Sequence, residues 1–517
     1  MLRRTGMIVK QNTQSLVCWI YLLASGAFSL CFGHVSASLA QDYSPQQSQA
    51  ASSPLAGARP ARPMGQAGGS SLADFTELIG LVQTMVKSNW DIDGGEDNIQ
   101  PYPNGVWIDP NGKLNRQKKT AFAVPNVPAN TDQKPKFFDL PQLGKLQSSD
   151  ELRWVSLRDL EQKLRERMTS KEMASPTMEL LGGLTRIDFL ARDPATNDWY
   201  LGGPAGDLVM DRKGNLVGRS TGLPPVLLED LLSIAPLILN GRGPLGCSID
   251  PVPERLKAVA DLAASPLAKR SLAQHAAKWC DRLTETLGDQ QATIFGLPDD
   301  SPTGTALLIA DEHMKRIGLG LENGPPQLLS YWEESEKRGK IQSSGLIRWW
   351  FALRDDIQIG VDDTSSVFAI ESPTVQVMSQ RQFMDQTGAR QEAIDQDPAA
   401  DAFATGFTKH FADLQTIQPM YGRLRHIFDL CVVMRLIREE VTAGRGSELS
   451  LLKDRSIQPH SDEPLKWIPS MAAWRKTSNG RVTAIVSGGV TIDVKNASID
   501  KHSGRSQPCV LEPFAFE

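Results

Sequence analysis

Ser220 is the residue that sequence alone places best for nucleophilic catalysis. It is the central residue of segment 218–222 (GRSTG), which matches the G-x-S-x-G pattern of hydrolases. In those enzymes a helix begins directly after the serine, so that backbone N–H groups can stabilise an oxyanion. Here Pro224 and Pro225 follow, and Pro225 disfavours helical geometry at the residue before it. We interpret the segment as a glycine-containing loop leading into a helix and keep Ser220 as a catalytic candidate.

Asp311, Lys315 and Arg348 are the candidate binding residues. Asp311 and Lys315 are four residues apart in the densest polar cluster of the chain, which is the spacing of an ion pair on a helix surface. Arg348 interrupts the aromatic, strand-like segment 346–351 (LIRWWF), so it needs a carboxylate or an anionic ligand nearby. The alternative for all three is a structural ion pair, because arginine and lysine commonly pair inside folded proteins.

Other polar groupings favour structural roles. His426 and Asp429 have a spacing that metal sites use, but pairing of Arg425 with Asp429 four residues later explains this apolar segment more simply. Segment 202–206 (GGPAG) precedes a strand-like segment rather than a helix, so we expect a tight turn or bulge and no phosphate site. The adjacent acids 299–300, 355–356 and 362–363 are expected to be solvated. We therefore expect no metal and no cofactor.

The amino terminus predicts export. Arg3, Arg4 and Lys10 precede an uncharged apolar run at 16–32, and small residues at 35–40 form a cleavage site before Gln41. The apolar run is short for a spanning helix, which needs about 20 residues; an uncleaved anchor is the alternative. No second apolar run of spanning length follows, so we expect no membrane span in the mature chain, which would be periplasmic or extracellular.

Four cysteines follow the leader. They are Cys247, Cys280, Cys431 and Cys509. An even number could form disulfides outside the cytosol, but their wide spacing and apolar surroundings favour buried free thiols. The sequence leaves their disulfide status open.

Hydrophobic periodicity divides the chain into segments. Residues 41–70 are poor in large apolar side chains and predict a disordered tether. A small helix-plus-hairpin module is expected at 71–116, a proline-rich linker at 117–149, the main body at 150–497 and a tail at 498–517. The body combines capped helices with antiparallel hairpins and a β-meander, which predicts a multi-domain α+β fold. A division of the body near residues 325–345 is one option.

Several short motifs occur together in one order. They are GVWIDPNGKL (105–114), IDFLARDP (187–194), WYLGGPAGDLVMD (199–211), GRSTGLPPVLLEDLL (218–232), GCSIDPVPERL (246–256), ADEHMKRIGLGLE (310–322), LIRWWF (346–351) and DLCVV (429–433). The set resembles a family of secreted planctomycete proteins classed as a domain of unknown function. The resemblance covers most of residues 72–497, although His313 departs from the family pattern. It implies export and fold, without an activity.

Charge excludes one class of function. The formal net charge is −5 over 517 residues, and removal of residues 1–40 leaves 52 basic against 60 acidic residues. An acidic chain without a long basic run is a poor nucleic-acid binder, because phosphate contacts need clustered lysine and arginine. The expected function is a non-catalytic envelope protein that binds or scaffolds a partner outside the cytoplasm. The alternative is a secreted hydrolase of peptides or polysaccharides, so whether the chain is an enzyme stays open.

Overall fold

A computed structural model describes residues 101–102, 105–106, 137–504 and 511–516. Short gaps within the third range fall at 267, 269–270, 272–273, 340–345, 365, 385–389, 393–396, 462–463 and 478–479. All described residues belong to a single compact unit, Phe75–Glu517. The predicted signal segment, the tether and most of the helix-plus-hairpin module lie outside the described residues, as does Cys509.

Helices and strands alternate irregularly along the described chain, which confirms the predicted α+β class. The helices are α1 (Leu157–Thr169), α2 (Pro176–Glu179), α3 (Leu228–Ile238), α4 (Pro253–Ala264), α5 (Ala276–Leu287), α6 (Pro302–Gly318), α7 (Tyr331–Lys337), α8 (Pro398–Lys409), α9 (Phe411–Ile417) and α10 (Pro419–Thr442). Local chemistry sets their starts: Ser156 Oγ accepts a hydrogen bond from Asp159 N, as the capping pattern predicts, and Ser330 with Glu333 forms a full capping box.

Most strands belong to two sheets. The strands are β1 (Pro101–Tyr102), β2 (Gly105–Val106), β3 (Phe137–Asp139), β4 (Asp150–Ser156), β5 (Phe189–Arg192), β6 (Trp199–Ala205), β7 (Leu208–Asp211), β8 (Leu216–Gly218), β9 (Leu245–Asp250), β10 (Gln290–Phe295), β11 (Leu346–Leu353), β12 (Ile357–Val361), β13 (Val367–Ile370), β14 (Val375–Met384), β15 (Arg390–Glu392), β16 (Trp467–Ile468), β17 (Ala472–Thr477), β18 (Gly480–Ile492) and β19 (Ile499–Ser503).

The larger sheet has eight strands, ordered β15-β14-β11-β18-β9-β10-β16 with β17 also paired to β18. The second sheet has six strands, ordered β19-β12-β13-β5-β6-β4. Antiparallel pairing dominates, and the parallel pairs are β11 with β18 and β12 with β19. A small sheet orders β3-β7-β8, and β1 pairs with β2. Strand β19 places residues of the predicted tail in a sheet, and β3 does the same for the end of the predicted linker. The predicted domain boundaries stay predictions.

Segment 202–206 corrects part of one expectation. Gly202 and Gly203 continue β6 opposite β4, where the pairing shifts register between Asp150 and Arg153, and β6 ends at Ala205, before Gly206 with a φ of 81°. Gly202 lies under the Trp154 ring, where an added Cβ would approach a ring carbon to 2.3 Å. The glycines therefore serve close packing across the sheet, which a sequence pattern cannot separate from turn formation.

The main core lies around α10, which is buried on almost every side and packs against α3, α6 and α9. One face of the six-stranded sheet contributes Leu190, Leu201 and Phe368 to this core. The other face carries a small cluster that includes Trp154, Ala191 and Tyr200. Because side chains alternate along a strand, the six-stranded sheet presents this second face away from the main core.

Candidate functional site

Asp311 and Lys315 form a buried ion pair rather than the surface pair that their spacing predicts. Lys315 Nζ lies 2.6 Å from Asp311 Oδ2, and neither side chain is more than 1% exposed. Asp311 Oδ1 also accepts a hydrogen bond from the Gly489 N–H at 2.9 Å. Burial raises the pKa of Asp311, against the opposing charges of Lys315 and Arg348. The pair joins α6 to β18, and its role in binding stays a prediction.

Close approach of β18 to α6 requires glycine. A Cβ added at Gly488 would lie 2.6 Å from Lys315 Cε and 2.1 Å from the Trp349 carbonyl oxygen. A larger residue would therefore separate the strand from the ion pair. The i,i+4 spacing of Asp311 and Lys315 predicts an ion pair. The pair is buried because Gly488 and Gly489 of β18, more than 170 residues later in the chain, pack against it.

Arg348 lies on the face of β11 opposite to the buried Trp349, and it is half-buried. Its guanidinium carbon is 5.0 Å from the centre of the Trp350 ring, within the range of a cation–π contact. The charge of Arg348 also lowers the pKa of the buried Asp311, though burial outweighs it. The role of Arg348 in binding stays a prediction.

Ser220 is exposed in a turn that follows β8. The turn is closed by hydrogen bonds from Gly222 N to the Gly218 carbonyl and from Gly218 N to the Leu223 carbonyl. Helix α3 begins only at Leu228, so backbone N–H groups of a helix start do not surround the serine. This geometry agrees with the loop interpretation of the segment.

A groove lies on the second face of the six-stranded sheet. It has a volume of about 710 Å³, within the usual range of ligand sites, roughly 300–1,000 Å³. Its walls come from β4, the segment before β5, β12 and β13. Apolar side chains on these walls include Leu152, Phe189 and Val367.

Both arginines of the groove are held by carboxylates. Arg186 binds Asp188 through two parallel hydrogen bonds, Nε to Oδ1 at 2.5 Å and Nη2 to Oδ2 at 2.7 Å, and these bonds raise the pKa of Arg186. Arg425 Nε contacts Asp429 Oδ2 at 3.1 Å, as the sequence predicts. Asp429 is fully buried beside the groove and also accepts a hydrogen bond from Thr374 at 2.6 Å.

Three further carboxylates line the groove. Glu151 is exposed on β4 and makes no hydrogen bond or ion pair with another described residue. Glu371 Oε2 accepts a hydrogen bond from His502 Nε2 at 2.9 Å. Partial burial raises the pKa of Asp362, but hydrogen bonds from Thr364 and Ser366 outweigh it and leave the pKa lowered. Asp362 therefore stays ionised at neutral pH.

A second cavity of about 510 Å³ adjoins the groove and shares Val361 and Asp362 with it. Its wall includes His502, Lys501 and Arg445. Lys501 is paired with Glu439 at 2.9 Å and Arg445 with Glu440 at 3.0 Å. The His502–Glu371 pair thus lies where the two cavities meet.

Sequence reasoning missed most of the groove residues, although it predicted the pairing of Arg425 with Asp429. Arg186 and Asp188 alternate with the buried Ile187, and this alternation is the one sequence signal that places both on the same face. Among the other carboxylates, Glu151 lies more than 200 residues before Asp362 and Glu371.

One further expectation of the sequence is confirmed, since Cys247, Cys280 and Cys431 are buried free thiols. His426 lies in the core, where its Nε2 donates to the Thr185 carbonyl at 2.9 Å, while its buried Nδ1 has no hydrogen-bond partner among the described residues. Across the described ranges, His, Cys, Asp and Glu side chains form no group of three or more suited to a metal ion. None of the helices in these ranges has the length and apolarity to cross a bilayer.

His313 links α6 to α10 by a chain of hydrogen bonds. Its Nε2 contacts Glu322 Oε2 at 2.9 Å, and its Nδ1 contacts the Tyr421 hydroxyl at 2.7 Å. A carboxylate only accepts, so Nε2 carries the proton and Tyr421 donates to Nδ1. Burial lowers the pKa of His313, although Glu322 opposes it. Tyr421 is fully buried, so this chain is structural rather than open to a substrate.

Acidification is expected to destabilise the wild-type protein relative to a His426→Gln variant. Burial lowers the pKa of His426 from 6.5 to about 4. Between these values the unfolded chain binds a proton that the folded chain does not, so stability falls as the pH falls through this window. From pH 7.5 to pH 5 this loss is about 2 kcal/mol, and the glutamine variant avoids it. Urea unfolding at both pH values measures the free energy of unfolding of each protein. If the difference between the two proteins in this free energy were the same at pH 7.5 and pH 5, the expectation would be contradicted.

Comparison with known proteins identifies one region. Residues 247–331 match a family described as a protein of unknown function (DUF1598). The match begins in β9, contains Asp311 and Lys315, and ends at the start of α7, while the groove residues lie outside it. No curated protein and no solved structure matches the chain.

Proposed function

We propose that this chain is an exported, non-catalytic protein of the cell envelope that binds or scaffolds a partner through the groove on the six-stranded sheet. The observation that carries the proposal is the groove itself, an open cavity of about 710 Å³ with charged and apolar walls. Two other ionic clusters are buried: Asp311 with Lys315, and Asp230 with Arg423, contribute carboxylates of 0% exposure. Such groups stabilise the fold and cannot meet a ligand from solvent.

The basic and apolar leader of residues 1–40 supports export to the periplasm or beyond. The motif resemblance supports membership of a secreted planctomycete family. Buried thiols at Cys247, Cys280 and Cys431 are compatible with an oxidising compartment, because burial protects them from pairing.

The groove is expected to account for retention of an envelope component by the protein. Mature chain that starts at Gln41, with the cleavage checked by mass spectrometry, would be immobilised and exposed to bacterial envelope extract. Ala369→Trp fills the groove, since Ala369 faces it while the neighbouring Phe368 faces the core. We expect this variant to retain at least about tenfold less of that component, equivalent to 1.4 kcal/mol.

The matched control is Ala195→Trp, which places the same ring in an exposed turn between β5 and β6 and should leave retention unchanged. Equal retention by all three proteins would contradict the proposal. So would labelling of the wild-type protein by a serine-reactive fluorophosphonate that Ser220→Ala abolishes, because that result favours the secreted hydrolase.

A further inference from the structure

We infer that the groove binds a basic peptide segment, with lysine or arginine side chains on either side of apolar ones. The inference rests on the proposed binding function and names the ligand class of that same site. Three properties of the walls carry it: their unbalanced carboxylates, their spare guanidinium donors and their apolar patches.

The groove carries a net negative charge, because each of its arginines is already neutralised by a carboxylate and further carboxylates remain. Arg186 is neutralised by Asp188 and Arg425 by the buried Asp429. Glu151 remains without a cationic partner at the β4 end. At the β12 end, Asp362 is kept ionised by hydrogen bonds from neutral groups, and Glu371 meets only the imidazole of His502. Carboxylates at two ends of one cavity favour a ligand with cations at two positions.

The donors of the groove favour a peptide over a simple polyamine. Asp188 engages Nε and Nη2 of Arg186, which leaves Nη1 available to donate. Asp429 engages only Nε of Arg425. A peptide supplies carbonyl oxygens for these N–H groups, whereas a polyamine supplies no acceptor.

The dimensions and apolar lining also suit an extended chain. From β12 to β4 the sheet order crosses four interstrand spacings of about 4.8 Å, or roughly 19 Å in total. At about 3.3 Å per residue, five or six extended residues cover this distance. Phe189 and Val367 lie between the two charged ends, where apolar side chains of the segment would bury surface. A sugar polymer would instead need stacked aromatic rings, and Phe189 is the one aromatic side chain of the wall.

The probe is an acetylated and amidated peptide, Lys-Val-Leu-Val-Lys, measured by isothermal titration calorimetry at low and physiological salt. The wild-type protein should bind it, and more weakly as salt screens the carboxylates. Glu151→Gln and Glu371→Gln should each weaken binding about two- to fivefold, as exposed ion pairs do. Glu285→Gln, on the exposed face of α5 and outside the groove, is the matched control and should bind like wild type.

Two comparison probes separate this inference from the proposed function. The peptide Glu-Val-Leu-Val-Glu should bind at least about tenfold more weakly, as should spermidine, which carries cations without carbonyl groups. Equal binding of the lysine and glutamate peptides, undiminished binding by both glutamine variants, or no binding of the lysine peptide would each overturn the inference. The binding function itself would survive those results if Ala369→Trp still abolished retention of an envelope component.

Discussion

Lys315→Met is expected to destabilise the folded protein by about 3–5 kcal/mol, because it leaves the carboxylate of Asp311 buried without its charge partner. Asp311 is 0% exposed, and its remaining hydrogen bond comes from the backbone of Gly489. The double variant Asp311→Asn with Lys315→Met should regain at least half of this loss, since the asparagine oxygen still accepts the Gly489 N–H while no charge is buried. Urea unfolding monitored by circular dichroism measures all three proteins.

The matched control is Lys257→Met on α4. Lys257 and Asp261 have the same i,i+4 spacing, but both side chains are at least half exposed and lie 3.4 Å apart. Loss of such a surface pair costs less than about 1 kcal/mol. If Lys315→Met and Lys257→Met cost the same, the buried pair does not exist as described.

The cost of Lys315→Met should also depend on pH. Burial raises the pKa of Asp311, and without Lys315 the pKa must rise further. A carboxyl group whose pKa is higher in the folded than in the unfolded state loses stability as the pH rises. The variant should therefore lie closer to wild type at pH 5 than at pH 8.

Local patterns predict the elements of this fold well. The aromatic residues of segment 346–351 predict β11, the capping pattern at Ser156 predicts the start of α1, and the all-round apolar run at 421–441 predicts α10. Each of these signals lies within one continuous stretch of the chain. That is why the α+β class follows from sequence.

Patterns of this kind do not determine which elements meet. The spacing of Asp311 and Lys315 indicates a pair, but only the approach of Gly488 from β18 determines that the pair is buried. Likewise, the sequence around Gly202 predicts a turn, whereas in the structure Gly202 lies in a strand and packs against the ring of Trp154. In both cases the decisive neighbour is distant along the chain.

The candidate site shows this limit most clearly. The groove takes Glu151, Arg186, Glu371 and Arg425 from four segments that are separate along the chain. None of the four belongs to a motif whose spacing carries chemistry. Ser220 does belong to such a motif, yet its turn lacks the helix start that makes the motif reactive. A short motif therefore identifies chemistry only when the elements around it have the required geometry.

Trp349→Ala is expected to cost about 3–5 kcal/mol, the range for removal of a large aromatic side chain from a core. The ring is fully buried and joins β11 to three helices. It packs on Phe403 of α8 with ring centres 4.6 Å apart, contacts Tyr331 of α7 at 6.1 Å, and lies against Gly318 of α6. Its Nε1 donates to the Ala400 carbonyl at 3.2 Å, and the variant also loses this hydrogen bond.

Trp350→Ala provides the internal control, because alternation along β11 turns this neighbouring ring to the opposite, half-buried face. The Trp350→Ala variant loses the contact between this ring and Arg348 together with some apolar burial. These losses should lower the free energy of unfolding by about 1 kcal/mol. Thermal and urea unfolding of the two variants compare the loss of stability at adjacent positions on opposite faces of β11. A larger loss in Trp350→Ala than in Trp349→Ala would mean that β11 has the opposite face towards the core, a one-residue shift that would also turn Arg348 inward.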